Sequence, residues 1–296
     1  MNATASLAQA RSALRRWDLG SAGPQPSLQP LKSGVNQTFR VTSQSNCYAL
    51  QQLSPSLSPR LHQDVQVVTE HLYRKGLTTP RLVPTPSGEL FACVDDRPWR
   101  LLTWIDGVTH HTVATPAMAH AAGRLVAIFH VTLADLRHAY HVDAAWVHDA
   151  QAHFRQLRRA MVERTDHPLH AEVAPLADSV FDMARELPDF GRLPHRHSHG
   201  DLKISNVVFA RQKRLEEGNR ALALIDLDTL GPLPWPLELG DALRSWCNPA
   251  GEECARTRFD PTLCAAALQG YARELPAGFL QREEIESLVP GLLRVP

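Results

Sequence analysis

Two short apolar segments in the second half of the chain, each next to a group of polar residues, constrain its fold most. The first, Asn206–Ala210, begins at the last residue of the run HGDLKISN. The second, Ala221–Asp226, is separated from the first by a highly charged turn. Short apolar runs bounded by turn-forming residues predict paired strands. The pairing is expected to bring Asp201, Asn206 and Asp226 to one point.

Three polar side chains of these types fit the transfer of a phosphoryl group. That reaction uses an aspartate to accept the proton of the attacking hydroxyl, and an asparagine with a second aspartate to hold magnesium. Asn206 follows Asp201 by five residues and precedes Asp226 by twenty, in the order that this chemistry uses. The alternative is an acidic turn capped by an asparagine.

The run HGDLKISN at residues 199–206 resembles the HGDxxxxN signature of the aminoglycoside phosphotransferase and choline kinase branch of the protein-kinase-like fold. The resemblance implies an enzyme that uses ATP and Mg²⁺. The implied site residues are Asp201 as catalytic base, Asn206 and Asp226 as magnesium ligands, and His199 and Gly200 as shapers of the catalytic loop. Lys203 is placed where a cation would steady the transferring phosphate; a solvated loop lysine is the alternative.

A longer resemblance is to the sugar-kinase group typified by N-acetylhexosamine 1-kinase, over about residues 30–246. It rests on the segments Gly34–Val41, Tyr48–Leu53, Trp99–Gly107, Ile225–Leu233 and Leu239–Arg244. The implied nucleotide site consists of a phosphate loop with Gly34, Asn36, Gln37 and Thr38, and an adenine-binding hinge from Thr103 to Ile105. A polar hairpin turn is the alternative for the loop. Asp241 is expected to brace the catalytic loop from the start of a helix, with a substrate contact as the alternative. Asp228 and Arg244 are similarly divided between a packing network and a substrate contact.

Lysine is scarce, since the 31 Lys and Arg residues comprise 27 Arg and only four Lys. Kinases usually hold the nucleotide phosphates with a third-strand lysine that pairs with a helix glutamate. No lysine lies on Tyr48–Leu53, where Gln51 or Gln52 stands instead. A glutamine brings no charge, so phosphate binding is expected to depend on magnesium, the loop amides and an arginine. The candidate helix partners are Gln63, Asp64 and Glu70.

The pattern is mostly strand-like from about Leu31 to Leu102 and becomes helical from Thr115 onward. We therefore predict an α+β, two-lobed, protein-kinase-like fold, with a nucleotide-binding sheet lobe at 1–104 and a mainly helical catalytic and acceptor-binding lobe at 105–296. In the first lobe, strands are predicted at 39–42, 48–51, 81–83, 90–94 and 99–104, a helix at 59–75, and a proline-rich loop at 23–30. In the second lobe, helices are predicted at 115–136, 143–164, 171–187 and from about 236 onward.

Composition excludes several partners. The net charge is zero, with 31 basic and 31 acidic residues, whereas nucleic-acid and membrane-surface proteins have a clustered basic excess. No apolar run reaches the roughly 18 residues of a membrane span, and the first residues lack a signal-peptide pattern. Five cysteines without CxxC spacing favour reduced thiols in the cytoplasm. The HRHSH run at 195–199 is interpreted as loop or core rather than a metal site.

The sequence thus predicts an ATP-dependent kinase that phosphorylates a hydroxyl of a small molecule, with a sugar or amino sugar favoured. An aminoglycoside or another amino alcohol, such as homoserine or choline, is the alternative acceptor. Residues 229–296 carry nine acidic and six basic side chains, only a slight excess for binding a polycation. An alternative of another class is a catalytically silent nucleotide-binding module, which the missing third-strand lysine suggests.

Overall fold

The computed structural model describes residues 3–20, 25–31, 36–54, 57–142, 149–211, 219–251, 254 and 257–294. Contacts divide the chain into two compact units. The first, here called the sheet unit, comprises Met1–Gly107, Asp135–Val142 and Ala223–Asp228. The second, the helical unit, comprises Val108–Ala134, Asp143–Leu222 and Thr229–Pro296.

The sheet unit contains a five-stranded antiparallel sheet in the order β1-β2-β3-β5-β4. Its elements are α1 (Ala3–Leu14), β1 (Ser27–Pro30), β2 (Gln37–Ser43), β3 (Asn46–Gln52), α2 (Leu61–Arg74), β4 (Ala92–Val94) and β5 (Arg97–Thr103). The predicted strands at 39–42, 48–51 and 99–104 and the helix at 59–75 are confirmed. The predicted strand at 81–83 is wrong, since only a single bridge joins Leu82 to Leu102.

The proline-rich segment before β2 also differs from its prediction as a loop. Ser27–Pro30 pairs with β2, from Ser27 opposite Thr42 to Pro30 opposite Phe39. β1 is an edge strand, so it has a neighbouring strand on one side only. Proline has no backbone N–H, and an edge strand tolerates it because its outer side makes no hydrogen bonds to another strand. Ser27–Pro30 contains one strongly apolar residue, Leu28, and its sequence does not indicate a strand. The segment is a strand because it pairs with β2.

Helix α1 was not predicted, and it covers one face of the sheet. Its buried Ala10, Ala13 and Leu14 belong to one apolar cluster with sheet residues that include Leu50, Trp99 and Leu101. Successive side chains of a strand point to opposite faces. Gln51 and Arg100, which alternate with these apolar residues, therefore lie on the sheet face away from α1.

Helix α2 buries Leu61, Val65, Val68 and Leu72 at the predicted spacing. It also holds the segment Asp135–Val142 through Asp64, whose carboxylate accepts hydrogen bonds from His138 Nε2 and His141 Nδ1, both at 2.8 Å. The amides of His141 and Val142 donate to the same carboxylate. Burial alone would raise the pKa of Asp64, but these hydrogen bonds outweigh it and lower the pKa below its usual value.

Seven helices of the described residues belong to the helical unit, together with the antiparallel strand pair of β6 and β9 and with β7. β7 pairs with β8, whose second half belongs to the sheet unit. The elements that follow β5 in the chain are α3 (Pro116–Leu133), α4 (Ala150–Glu163), α5 (His170–Glu186), β6 (His195–Ser198), β7 (Val207–Phe209), β8 (Ala221–Leu224), β9 (Gly231–Pro234), α6 (Trp235–Trp246), α7 (Pro261–Glu274), α8 (Arg282–Glu286) and α9 (Leu288–Arg294). The predicted strand pair and the predicted helices are confirmed, although residues 143–148 and 212–218 lie outside the described residues. None of the helices of the described chain is long and apolar enough to cross a membrane.

Helix α3 begins where the sequence predicts. Thr115 caps it, accepting a hydrogen bond from the amide of Met118 at 3.2 Å, and Pro116 occupies the first turn. The helix crosses α7 closely because two glycines lie at the contact. A Cβ on Gly123 would stand 2.1 Å from the carbonyl oxygen of Ala267, so any larger residue would force the helices apart.

Candidate active site

Asp201, Lys203 and Asn206 lie together in the loop between β6 and β7. Lys203 Nζ is 2.5 Å from Asp201 Oδ2. The amide nitrogen of Asn206 donates to the same carboxylate oxygen at 3.1 Å and to the Asp201 carbonyl at 2.9 Å. Because the nitrogen of the Asn206 amide is used inside the loop, its oxygen is the atom that suits a cation.

Polar side chains of α6 hold the backbone of this loop. Glu238 accepts hydrogen bonds from the amides of His199 at 2.7 Å and Gly200 at 3.0 Å. Asp241 accepts a hydrogen bond from the Leu202 amide at 3.1 Å, a contact that fits its predicted role as a brace of the loop. Ser245 accepts a hydrogen bond from the amide of Ile204 at 3.2 Å. The spacing of the three α6 residues puts them on one face of the helix.

Glu238 was not predicted from the sequence, and it is the most buried of these braces, with no exposed surface. His130 Nε2 lies 3.4 Å from Glu238 Oε1, and His130 Nδ1 lies 2.7 Å from the hydroxyl of Tyr271. Trp235 Nε1 donates to that hydroxyl at 2.8 Å. Burial alone would raise the pKa of Glu238, but the His130 hydrogen bond and the nearby histidines lower it below its usual value. A carboxylate therefore lies beneath the loop at 199–206.

The second residue of the HGD run must be a glycine. Gly200 has a φ of +80°, in the left-handed region, and a Cβ there would stand 2.2 Å from the carbonyl oxygen of Thr229. Thr229 Oγ1 also donates to the His199 carbonyl at 2.8 Å. His199 is fully buried, and its Nδ1 accepts a hydrogen bond from the Asp201 amide at 3.3 Å. His199 thus shapes the loop from inside.

Asp226 and Asp228 follow β8 in the sheet unit. Asp226 adopts a left-handed φ of +66°, which is rare outside glycine. Asp228 Oδ1 is 2.5 Å from Arg100 Nη1, and Asp228 Oδ2 accepts a hydrogen bond from Asn36 Nδ2 at 3.1 Å. Of the two roles that the sequence left open for Asp228, these contacts favour the packing network.

The third-strand glutamine is paired with an arginine. Gln51 on β3 lies opposite Arg100 on β5, and Arg100 Nε donates to Gln51 Oε1 at 2.8 Å. Gln51 Nε2 lies 3.3 Å from Thr38 Oγ1. Two of the candidate helix partners bind elsewhere, Asp64 to the Asp135–Val142 segment and Glu70 to Arg74. The sequence predicts an arginine without identifying it, because Arg100 between the apolar Trp99 and Leu101 resembles an ordinary solvent-facing strand position.

The remaining predicted residues that the structure describes lie near the start of β2, near the end of β5 and on α6. Gln37 begins β2, and Gly34 lies outside the described residues. Asn36 Oδ1 is buried and has no hydrogen-bond partner among the described residues. Thr103 ends β5 with its amide bonded to the Arg81 carbonyl at 2.9 Å, and Ile105 follows it. Arg244 Nη2 donates to Asp241 Oδ1 at 3.2 Å.

Among the described residues, one trio of ligand-type side chains lies close together, Asp64 with His138 and His141. Their N···O distances of 2.8 Å are those of hydrogen bonds. Ligands around a zinc ion, with bonds of about 2.0–2.2 Å, would lie farther apart. The trio therefore clamps the segment to α2.

A strand-rich unit, a helical unit and an HGD loop braced from a helix together define a phosphotransferase of the small-molecule kinase class. The model of the phosphotransferase enzyme family matches residues 27–276, and the chain belongs to this family. The fold is accordingly protein-kinase-like, as the sequence predicted.

Known proteins of this kind are similar to the chain along nearly all of its length. A homoserine kinase from Parvibaculum lavamentivorans is 24% identical over 282 residues, which is 93% of this chain and 78% of that protein. An amicoumacin kinase in complex with AMP-PNP, Ca²⁺ and Ami has a TM-score of 0.63 at 13% identity, over 99% of this chain and 92% of that chain. A microcompartment-associated aminopropanol kinase has a TM-score of 0.60 at 17% identity, over 98% and 95%. At these identities the two structures demonstrate a shared fold and no more.

Proposed function

We propose that the protein transfers the γ-phosphate of ATP to a hydroxyl group of a small molecule, with Asp201 as the base. The observation that carries this proposal is the loop in which Asp201 and Asn206 are hydrogen-bonded and the backbone is fixed by Glu238. A general base must be held in place while the hydroxyl attacks, and phosphoryl transfer depends mostly on such positioning.

The other residues of the loop have supporting roles. Lys203, whose ammonium group is 2.5 Å from Asp201, would orient that carboxylate and steady the transferring phosphate. His199 stays inside the loop as a structural residue. Asp241 would brace the loop, and Arg244 would orient Asp241 through their hydrogen bond.

Asn206 and Asp226 suit magnesium because both offer hard oxygen atoms, the ligand type that this ion prefers. The orientation of the Asn206 amide agrees with this assignment, since its nitrogen is bonded to Asp201. When bound, magnesium neutralises charge that develops on the phosphate oxygens.

We assign nucleotide binding to the lobe at 1–104 and acceptor binding to the lobe at 105–296. Gly34, Asn36, Gln37 and Thr38 would form the phosphate loop. In the hinge, the amides of Thr103 and Trp104 are bonded within the sheet unit. The backbone of Ile105 is therefore the better candidate for the adenine.

The favoured acceptor is a sugar or an amino sugar, on the resemblance of the segments around Asp228 and Asp241 to sugar kinases. An amino alcohol is the second candidate, favoured by the identity to a homoserine kinase over 93% of this chain. No nucleic acid or membrane partner is expected.

The test is ADP formation with ATP and Mg²⁺ across a panel of sugars, amino sugars, homoserine, aminopropanol, choline and aminoglycosides. We expect turnover that depends on one acceptor class and is lost in D201N. The matched control D182N changes an aspartate that is 70% exposed on α5, and it should keep wild-type turnover. Equal ADP formation in wild type and D201N would instead favour a silent nucleotide-binding module.

A further inference from the structure

The ion pair between Arg100 and Asp228 is unusually well shielded from water. Only 2% of the Arg100 side chain and 12% of the Asp228 side chain are exposed, and the two lie 2.5 Å apart. Arg100 Nε is also bonded to Gln51. A buried guanidinium is tolerated only where its charge and hydrogen bonds are satisfied. These partners therefore fix both the position and the orientation of Arg100.

Asp228 belongs to a tight turn, Leu227–Thr229, that directly follows Asp226. The left-handed backbone of Asp226 is strained for a residue other than glycine and persists only where the surroundings fix it. β8 fixes the chain on one side of Asp226. On the other side, Leu227 is buried and Asp228 is bonded to Arg100 and Asn36.

We propose that Arg100 is a positioning residue, which fixes the turn through Asp228 and thereby directs the carboxylate of Asp226 toward the magnesium ion. The inference rests on the proposed function, in which Asp226 is a metal ligand. It also gives Gln51 a role: in place of the usual third-strand lysine, this glutamine orients the arginine that holds the metal-binding turn.

The competing role for Arg100 is direct binding of the nucleotide phosphates, as the missing lysine would do. The geometry opposes this role, because phosphate binding would require the nearly unexposed guanidinium to leave a carboxylate 2.5 Å away. A phosphate does not easily displace the carboxylate partner of a guanidinium that is held by charge-assisted hydrogen bonds in a network.

The experiment measures binding of ADP by calorimetry with and without Mn²⁺, and of Mn²⁺ by electron paramagnetic resonance, in wild type, R100Q, D228N and the double variant R100Q/D228N. Removing a group that orients a metal ligand typically lowers metal affinity about 10–100-fold. We expect each variant to weaken Mn²⁺ binding in the presence of ADP about tenfold or more. Binding of ADP without metal should change less than about twofold, and the double variant should lose no more than the single ones.

The matched control is R196Q. Arg196 in the helical unit pairs with the fully buried Glu284 at 2.7 Å, so this exchange also breaks an arginine–carboxylate pair, and it should leave Mn²⁺ affinity unchanged. The double variant R100Q/D228N buries no unpaired charge, and it decides the outcome if a single variant fails to fold.

A loss of metal-free ADP binding in R100Q as large as the loss of Mn²⁺ binding would overturn the inference and assign Arg100 to the phosphates. Unchanged Mn²⁺ affinity in the folded variants would overturn it too, leaving the pair a purely structural one. Wild-type protein that binds no Mn²⁺ with ADP would contradict the proposed function itself, so the two failures are distinguishable.

Discussion

The catalytic loop at 199–206 and the turn at 225–229 both carry residues predicted to be catalytic, yet they are fixed in different ways. The loop is held by its backbone, since four of its amides donate to side chains of α6. The turn is held by a side chain of its own, Asp228, which is bonded to Arg100 and Asn36. Because the loop is held through its backbone amides, its side chains are available for the reaction. The turn instead depends on the ion pair between Asp228 and Arg100.

The largest effect on kcat is expected from replacing Asp201, the proposed base. D201N should lower kcat about 10²–10⁴-fold, because the amide cannot accept the proton of the attacking hydroxyl. The free energy of unfolding should change little, since the amides that hold the loop do not bind the Asp201 side chain. Steady-state kinetics and urea unfolding of D201N beside D182N test this; equal kcat in both would contradict the assignment.

Removing the main brace should affect stability most. E238A leaves the amides of His199 and Gly200 buried without an acceptor, at roughly 1–3 kcal/mol for each lost partner. We expect a loss of about 2–5 kcal/mol in the free energy of unfolding. The control E163A, at a glutamate 53% exposed, should change it by less than about 0.5 kcal/mol. A stable E238A would show that the loop is fixed by other contacts.

A third change tests the close approach at the loop. G200A introduces a Cβ at 2.2 Å from the Thr229 carbonyl and a left-handed alanine. The two effects should lower the free energy of unfolding by about 2–4 kcal/mol, with a further loss in kcat. In G191A the new Cβ meets nothing nearer than 3.4 Å, so its unfolding curve should match that of wild type.

The smallest effect concerns the sheet unit and its dependence on pH. The folded pKa of Asp64 lies below the 3.8 of the unfolded chain, so the ionised carboxylate stabilises the fold above about pH 4. That contribution is lost as the pH falls through the lowered folded value. D64N should lower the free energy of unfolding by about 1–3 kcal/mol at pH 7 and flatten its decline below about pH 4. A pH profile parallel to that of wild type would refute the clamp.

The regular elements could be predicted where side-chain periodicity is local. In α2, Leu61, Val65, Val68 and Leu72 repeat at helical spacing. β1 could not be predicted, because Ser27–Pro30 forms a strand only through pairing with β2.

The site residues differ in the same way: those adjacent in the chain could be predicted, and their distant partners could not. The HGD run identifies the loop because its residues are adjacent in the chain. The partners of these residues are distant: Glu238 is 39 residues from His199, and Arg100 is 128 residues from Asp228. A buried polar residue at every third or fourth position of α6 was the available signal for the braces. For Arg100 no local signal exists.

The most direct test of phosphoryl transfer is ³¹P nuclear magnetic resonance of a reaction with ATP, Mg²⁺ and the acceptor panel. We predict a new phosphomonoester resonance with one acceptor class, formed by wild type and by D182N and absent with D201N. No phosphomonoester with any acceptor, or the same amount with D201N, would contradict it.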